Sequence, residues 1–135
     1  MEKQKKVLDA SVIIKCFTNE IDSDKADKLI RLHVAKEIEI IIPDLLFLEV
    51  LNSFRFKNKD EKALRIILSD LEEFQFEVQN LTKYLLHKAI EISTKNNLTI
   101  YDSLYVALAQ FHGVPLITAD KDLFTLPNVI PLKDT

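Results

Sequence analysis

Glycine is almost missing from this chain, with one residue among 135. That scarcity excludes phosphate-binding P-loops, the dinucleotide-binding glycine fingerprint, collagen repeats and flexible glycine linkers, each of which needs several glycines. Cysteine is equally scarce. The single Cys16 rules out a disulfide framework and points to a reducing compartment. Only three histidines accompany it, so the usual Cys/His zinc clusters are excluded as well. No run approaches the ~20 apolar residues of a membrane span. Lys3, Lys5 and Lys6 ahead of an apolar stretch mimic a signal peptide. Asp9 and Lys15 interrupt that stretch, however, and no small-residue cleavage site follows. The expectation is a cytoplasmic protein without membrane contact.

What the chain does contain is enough for one core. Hydrophobic residues make up 47% and charged residues 29%, which fits a single domain over residues 1–135 and argues against bulk disorder. The formal net charge of −3 taken alone argues against a nucleic-acid binder.

Short apolar runs alternate with helical periodicity. Lys6–Asp9 reads as a strand ending on a carboxylate, followed by a short helix over Ala10–Phe17. Ala26, Leu29, Ile30 and Val34 recur at helical spacing, with Ser23 as the candidate cap. The β-branched run Ile38–Ile42 is a strand stopped by Pro43, and Asp44–Phe56 is a helix that is apolar on nearly every side. Leu64, Ile67, Leu68, Leu71 and Phe74 mark another helix, so region 54–76 reads as a two-helix excursion. Phe76–Gln79 is a short strand, and Thr82 caps a helix carrying Leu85, Leu86, Ala89 and Ile90. The helix Asp102–His112 is ended by Gly113 and Pro115. Leu116–Ala119 and Val129–Leu132 are the last strands. Strands alternating with helices predict an α/β fold with a mostly parallel sheet.

Most acids sit on solvated helix faces, and four do not. Asp9 and Asp120 each follow a strand, where the crevice of an open α/β sheet lies. Glu49 lies inside Leu45-Leu46-Phe47-Leu48-Glu49-Val50-Leu51, where an unpaired charge costs several kcal/mol. It therefore needs a partner: a cation, a buried basic residue, or water at a cleft. Asn52, one turn on, is expected to share its face. Asp102 opens an apolar helix, with Thr99 as a competing cap. Each acid also has a bland alternative: a helix cap for Asp9 and Asp102, a turn for Asp120, a salt bridge for Glu49. Asp122 is either a fifth acid or simply solvated. Carboxylates converging on one crevice must protonate or bind cations. All-oxygen ligands select hard ions such as Mg²⁺ or Mn²⁺, the machinery of phosphodiester hydrolysis.

Four segments carry a family resemblance: Val7-Leu8-Asp9-Ala10-Ser11, Glu49-Val50-Leu51-Asn52-Ser53-Phe54-Arg55, Tyr101-Asp102-Ser103-Leu104-Tyr105-Val106-Ala107-Leu108-Ala109 and Leu116-Ile117-Thr118-Ala119-Asp120. In this order and spacing the chain resembles the PIN-domain ribonucleases, and among them the VapC-type toxins. The resemblance implies a three-layer α/β/α sandwich with a central, mostly parallel sheet. It implies metal-dependent RNA cleavage leaving a 5′-phosphate and a 3′-hydroxyl. Asp9, Glu49, Asp102 and Asp120 would form the acidic quartet, Ser11 and Thr118 would support it, and Asp122 would be a further ligand. Ser103 departs from the Ala that many relatives carry after the Asp, and fits the same space. A cognate antitoxin and a homodimer are implied too.

Bound divalent cations would outweigh the small negative charge. The densest basic stretch is Arg55, Lys57, Lys59, Lys62 and Arg65, with Phe54 and Phe56 interleaved. It reads either as a track for a nucleic-acid backbone or as a solvated helix junction diluted by Asp60 and Glu61. Three other functions compete with a toxin: a housekeeping PIN nuclease in RNA processing, a non-catalytic PIN scaffold, and a phospho-receiver domain. The intact quartet opposes the scaffold. The receiver wants adjacent acids after the first strand, where this chain has Asp9-Ala10-Ser11.

Overall fold

Apolar runs between charged helices become the strands of a parallel sheet. The computed structural model describes residues 2–135, and in it the elements follow in the order β1 (Gln4–Leu8), α1 (Ala10–Lys15), α2 (Ser23–Val34), β2 (Ile38–Pro43), α3 (Leu45–Phe56), α4 (Glu61–Glu73), β3 (Glu77–Gln79), α5 (Lys83–Asn96), α6 (Ile100–His112), β4 (Leu116–Thr118) and β5 (Val129–Pro131). Short 3-10 turns occupy Lys121–Leu123 and Leu132–Asp134.

The sheet order is β3-β2-β1-β4-β5, with every neighbouring pair parallel. Val7 in the central strand stands opposite Ile41 on one side and Leu116 on the other. Val7, Leu8, Ile40, Ile41 and Ile42 are fully buried. An unbroken β-branched run of this kind suits a sheet covered on both faces. Helices α1–α4 contact one another and α5 packs on α6, and with the strand order the right-handed crossovers usual in parallel sheets put the two groups on opposite faces, the expected three layers. The two helices between neighbouring strands β2 and β3 are α3 and α4, so the excursion runs over 45–73 rather than the expected 54–76.

The local signals set most boundaries and misplace a few. Thr82 accepts a hydrogen bond from the Leu85 N–H and caps α5. Gly113 adopts φ 64° after α6, a conformation that glycine reaches without strain. Ser23 does not cap α2. Asp22, itself left-handed, takes the cap position, while the Ser23 hydroxyl donates to the Thr18 carbonyl and accepts from the Glu20 N–H. The helix α1 stops at Lys15 rather than Phe17, and β4 and β5 each end one residue early. Phe76 falls just outside β3, whose pairing with β2 begins at Glu77, and its ring is buried 5.3 Å from the His33 ring.

The order of the strands fixes where a site can form. The chain builds outward from β1 to β2 and β3, then crosses over to lay β4 on the other side of β1. The crevice at the carboxyl ends of β1 and β4 is the switch point of the sheet, the usual ligand position in open α/β folds.

Candidate active site at the switch point

Asp9 is the first residue past β1. It occupies the cap position of α1, yet its carboxylate caps nothing. Instead Oδ1 accepts from the Ser11 hydroxyl and Oδ2 from the Thr118 hydroxyl, each at 2.5 Å. Thr118 is the last residue of β4, so both sides of the switch point close on this one carboxylate. The Ser11 Oγ accepts in turn from the Ala119 N–H, and Thr118 Oγ1 from the Asp120 N–H, both at 3.0 Å. Asp9 is 5% exposed. Burial pushes its carboxyl up to about 6, the two hydroxyls and the nearby Val12 backbone N–H pull against that, and the charge of Asp102 adds to it.

Glu49 reaches the crevice from α3 and is half-buried. Its Oε1 accepts from the Tyr105 hydroxyl at 2.7 Å. Burial is the main cause that raises its carboxyl. The Tyr105 hydrogen bond opposes the rise and the Asp102 charge reinforces it. Tyr105 is 1% exposed, and burial followed by the Glu49 charge drives its phenol well above the usual range.

Asp102 lies in the first turn of α6. Thr99 caps that helix, accepting from the Asp102 N–H at 3.0 Å, so the Asp102 carboxylate is not the cap. Its carboxyl is raised by burial first and next by Asp120. The Thr99 contact lowers it, and Asp122 raises it further. Asp120 caps the 3-10 turn with Oδ1, which accepts from the Asp122 N–H at 3.0 Å. The turn role weighed for Asp120 therefore accounts for one of its oxygens. Asp122 is exposed.

Asp102 is thus the electrostatic hub. Asp9 and Glu49 feel its charge, and it feels those of Asp120 and Asp122. Among the described residues none of these acids is in an ion pair; the salt bridges all lie elsewhere. No three of them close into a ready-made ion cage among the described residues. The crevice is a set of mutually repelling oxygen donors without a protein cation to balance them.

One expectation is revised and one open reading is narrowed. Asn52 is exposed and makes no hydrogen bond among the described residues, so the structure does not draw it to Glu49. A spacing of three leaves it about 60° round the helix from Glu49. In the basic stretch, Phe54 belongs to the core at 2% exposure, with the Lys57 ammonium 5.0 Å above its ring. Arg65 is paired with Glu61, and of the two rings only Phe56 is open to solvent. Sequence reasoning missed Tyr105. The available signal was a tyrosine one turn from Asp102 in an otherwise apolar helix, because a buried phenol must find a hydrogen-bond partner.

A parallel sheet with an acidic crevice at its switch point defines an α/β protein suited to hard cations and phosphate chemistry. Comparison with known proteins narrows this. Residues 6–128 match the PIN domain. Ribonuclease VapC3 of Pyrobaculum aerophilum is 32% identical over 126 residues, spanning 88% of this chain and 92% of the relative. A toxin–antitoxin complex from Klebsiella pneumoniae matches with a TM-score of 0.70 at 21% identity, covering 96% of this chain and 99% of that one. VapBC2 from Rickettsia felis, bound to a DNA fragment from its promoter, matches with a TM-score of 0.69 at 16% identity, covering 95% and 97%. The chain belongs to the PIN-domain family and to its VapC-type group. No helix among the described residues is long and apolar enough to cross a membrane.

Proposed function

We propose that this protein is a divalent-metal-dependent endoribonuclease, the toxin of a VapBC-type toxin–antitoxin pair. The observation that carries the reading is the uncompensated acid cluster at the switch point, in a chain with a ribonuclease relative along nearly its whole length. The donor set fits a hard cation, Mg²⁺ or Mn²⁺, because it is all oxygen and its repulsion is relieved by added positive charge. Asp9, Glu49, Asp102 and Asp120 would hold it, with Asp122 as a further carboxylate. When bound, the cation supplies an activated water and offsets the charge that develops on the scissile phosphate.

The protein's own groups prepare that chemistry. Ser11 and Thr118 fix both oxygens of Asp9, so the floor of the site keeps one orientation. Asp102 and Asp120 are half-exposed and Asp122 is exposed, so the mouth of the crevice is open to an RNA strand. Water adds across the phosphodiester and leaves a 5′-phosphate and a 3′-hydroxyl. An antitoxin partner is supported by the toxin–antitoxin complexes among the solved neighbours. For a homodimer, the half-exposed Tyr84–Phe111 pair, with ring centroids 5.8 Å apart, offers apolar surface. Such a toxin would act in the cytoplasm.

The test is incubation of the full chain with total cellular RNA, with Mg²⁺ or Mn²⁺, with EDTA, and with the cation restored after EDTA. The expected result is cleavage that EDTA stops and restored cation revives. Cleavage that survives EDTA overturns the metal mechanism, and intact RNA in every arm counts against the nuclease.

A further inference from the structure

One contact in the crevice joins helices from opposite faces of the sheet. Glu49 stands on α3 and Tyr105 on α6, 56 residues apart, and the phenol spans the carboxyl edge of the sheet to reach Oε1 at 2.7 Å. The ring is 1% exposed and the carboxylate half-exposed, so the rigid partner is the tyrosine. A glutamate on a helix has three side-chain torsions and loses entropy when a ligand fixes them. A hydrogen bond from a locked aromatic removes part of that cost in advance. It also takes up one oxygen only, and leaves Oε2 free. Tyr105 lies one turn after Asp102 on the same helix. The helix α6 thus carries one candidate ligand itself and orients a second that belongs to α3.

We infer that Tyr105 is a positioning residue for the metal site, holding Glu49 through its hydroxyl in the orientation in which Oε2 meets the cation. The inference rests on reading Glu49 as a metal ligand. The alternative is a phenol that merely satisfies itself on the nearest acceptor, and the two differ in what the hydroxyl does for metal binding.

The experiment is calorimetric titration of the full-length, metal-stripped protein with MnCl₂, for the parent, Tyr105→Phe, Glu49→Gln and the double variant, with the melting temperature of each metal-free protein. Phe keeps the ring and its packing. Positioning predicts a Kd for Mn²⁺ about 10- to 100-fold weaker in Tyr105→Phe, the usual effect of losing an outer-shell partner, with little change in the metal-free melting temperature. It also predicts that Tyr105→Phe adds nothing once Glu49→Gln is present, because the hydroxyl acts only through that carboxylate. Parent-like binding by Tyr105→Phe beside weakened Glu49→Gln overturns the role of Tyr105 and leaves the nuclease reading standing. Effects that multiply in the double variant, or a Tyr105→Phe protein that does not fold, give the hydroxyl a structural role independent of Glu49 and overturn the inference. Parent-like binding by Glu49→Gln removes Glu49 from the ligand set, and the role of Tyr105 falls with it.

Discussion

Ser103 sits beside Asp102, fully buried, and its hydroxyl has no hydrogen-bond partner among the described residues. Its backbone N–H is spent on the Thr99 carbonyl as an ordinary helical bond, so the orphan is the side-chain oxygen alone. A buried hydroxyl without a partner costs more than it returns, and alanine is the better helix former. Ser103→Ala is therefore expected to stabilise the protein by about 1 kcal/mol, read as a rise of a few degrees in melting temperature, with cleavage unchanged. An unchanged or lower melting temperature would show that the hydroxyl has a use in the crevice. The acids of this site were readable one by one because each breaks an apolar pattern that physics otherwise keeps clean. Tyr105 was not readable in that way. Tyrosine is at home in a core, and only packing reveals that the acceptor of its proton is a glutamate 56 residues earlier. Asn52 shows the converse, since helical spacing says which residues are neighbours on a cylinder and not which of them a neighbouring element covers.

Helix α6 begins two residues before Asp102, and that offset separates structure from function. Thr99 makes the cap bond, so Thr99→Ala is expected to cost about 1 kcal/mol of stability. Asp102→Asn should do the opposite. A charge in the first turn of a helix gains from the dipole, whereas its repulsion by Asp120 and Asp122 and its burial oppose it. The carboxyl is raised in spite of the dipole, so the unfavourable influences win. The metal-free Asp102→Asn protein should therefore melt above the parent, cleave RNA far more slowly, and gain less from added Mg²⁺ in a thermal melt. Parent-like cleavage and a parent-like Mg²⁺ response would remove Asp102 from the ligand set. The cap competition between Thr99 and Asp102 was visible in the sequence, and the β-branched run 38–42 and the Gly113 stop were too. Ser23 was misplaced because a left-handed aspartate and a hydroxyl that bonds backward leave no trace in residue spacing.

The fold brings these acids together at its own expense, and the consequence belongs to the whole molecule. Asp9 is raised from 3.8 to about 6, and Glu49 and Asp102 are raised as well. Between the unfolded and folded values the native state holds protons that the unfolded chain has already released. Stability must then fall as pH rises through that window. The contribution of Asp9 is fully present below pH 4 and lost above about pH 6. A shift of about two units corresponds to about 3 kcal/mol at neutral pH. Asparagine cannot titrate and still meets the Ser11 and Thr118 hydroxyls. Measured in EDTA, the stability of Asp9→Asn relative to the parent should accordingly increase by about 3 kcal/mol between pH 4 and pH 7, with most of the change below pH 6. At pH 7 saturating Mg²⁺ should shift the balance back toward the parent, because the cation binds the native parent and compensates the buried charge that the variant lacks. Thermal melts of both proteins across this pH range, with and without Mg²⁺, check each arm. A stability difference that does not vary with pH would mean that Asp9 titrates as in the unfolded chain, its two hydroxyls offsetting its burial. Asp9 would then carry no uncompensated buried charge for a cation to offset.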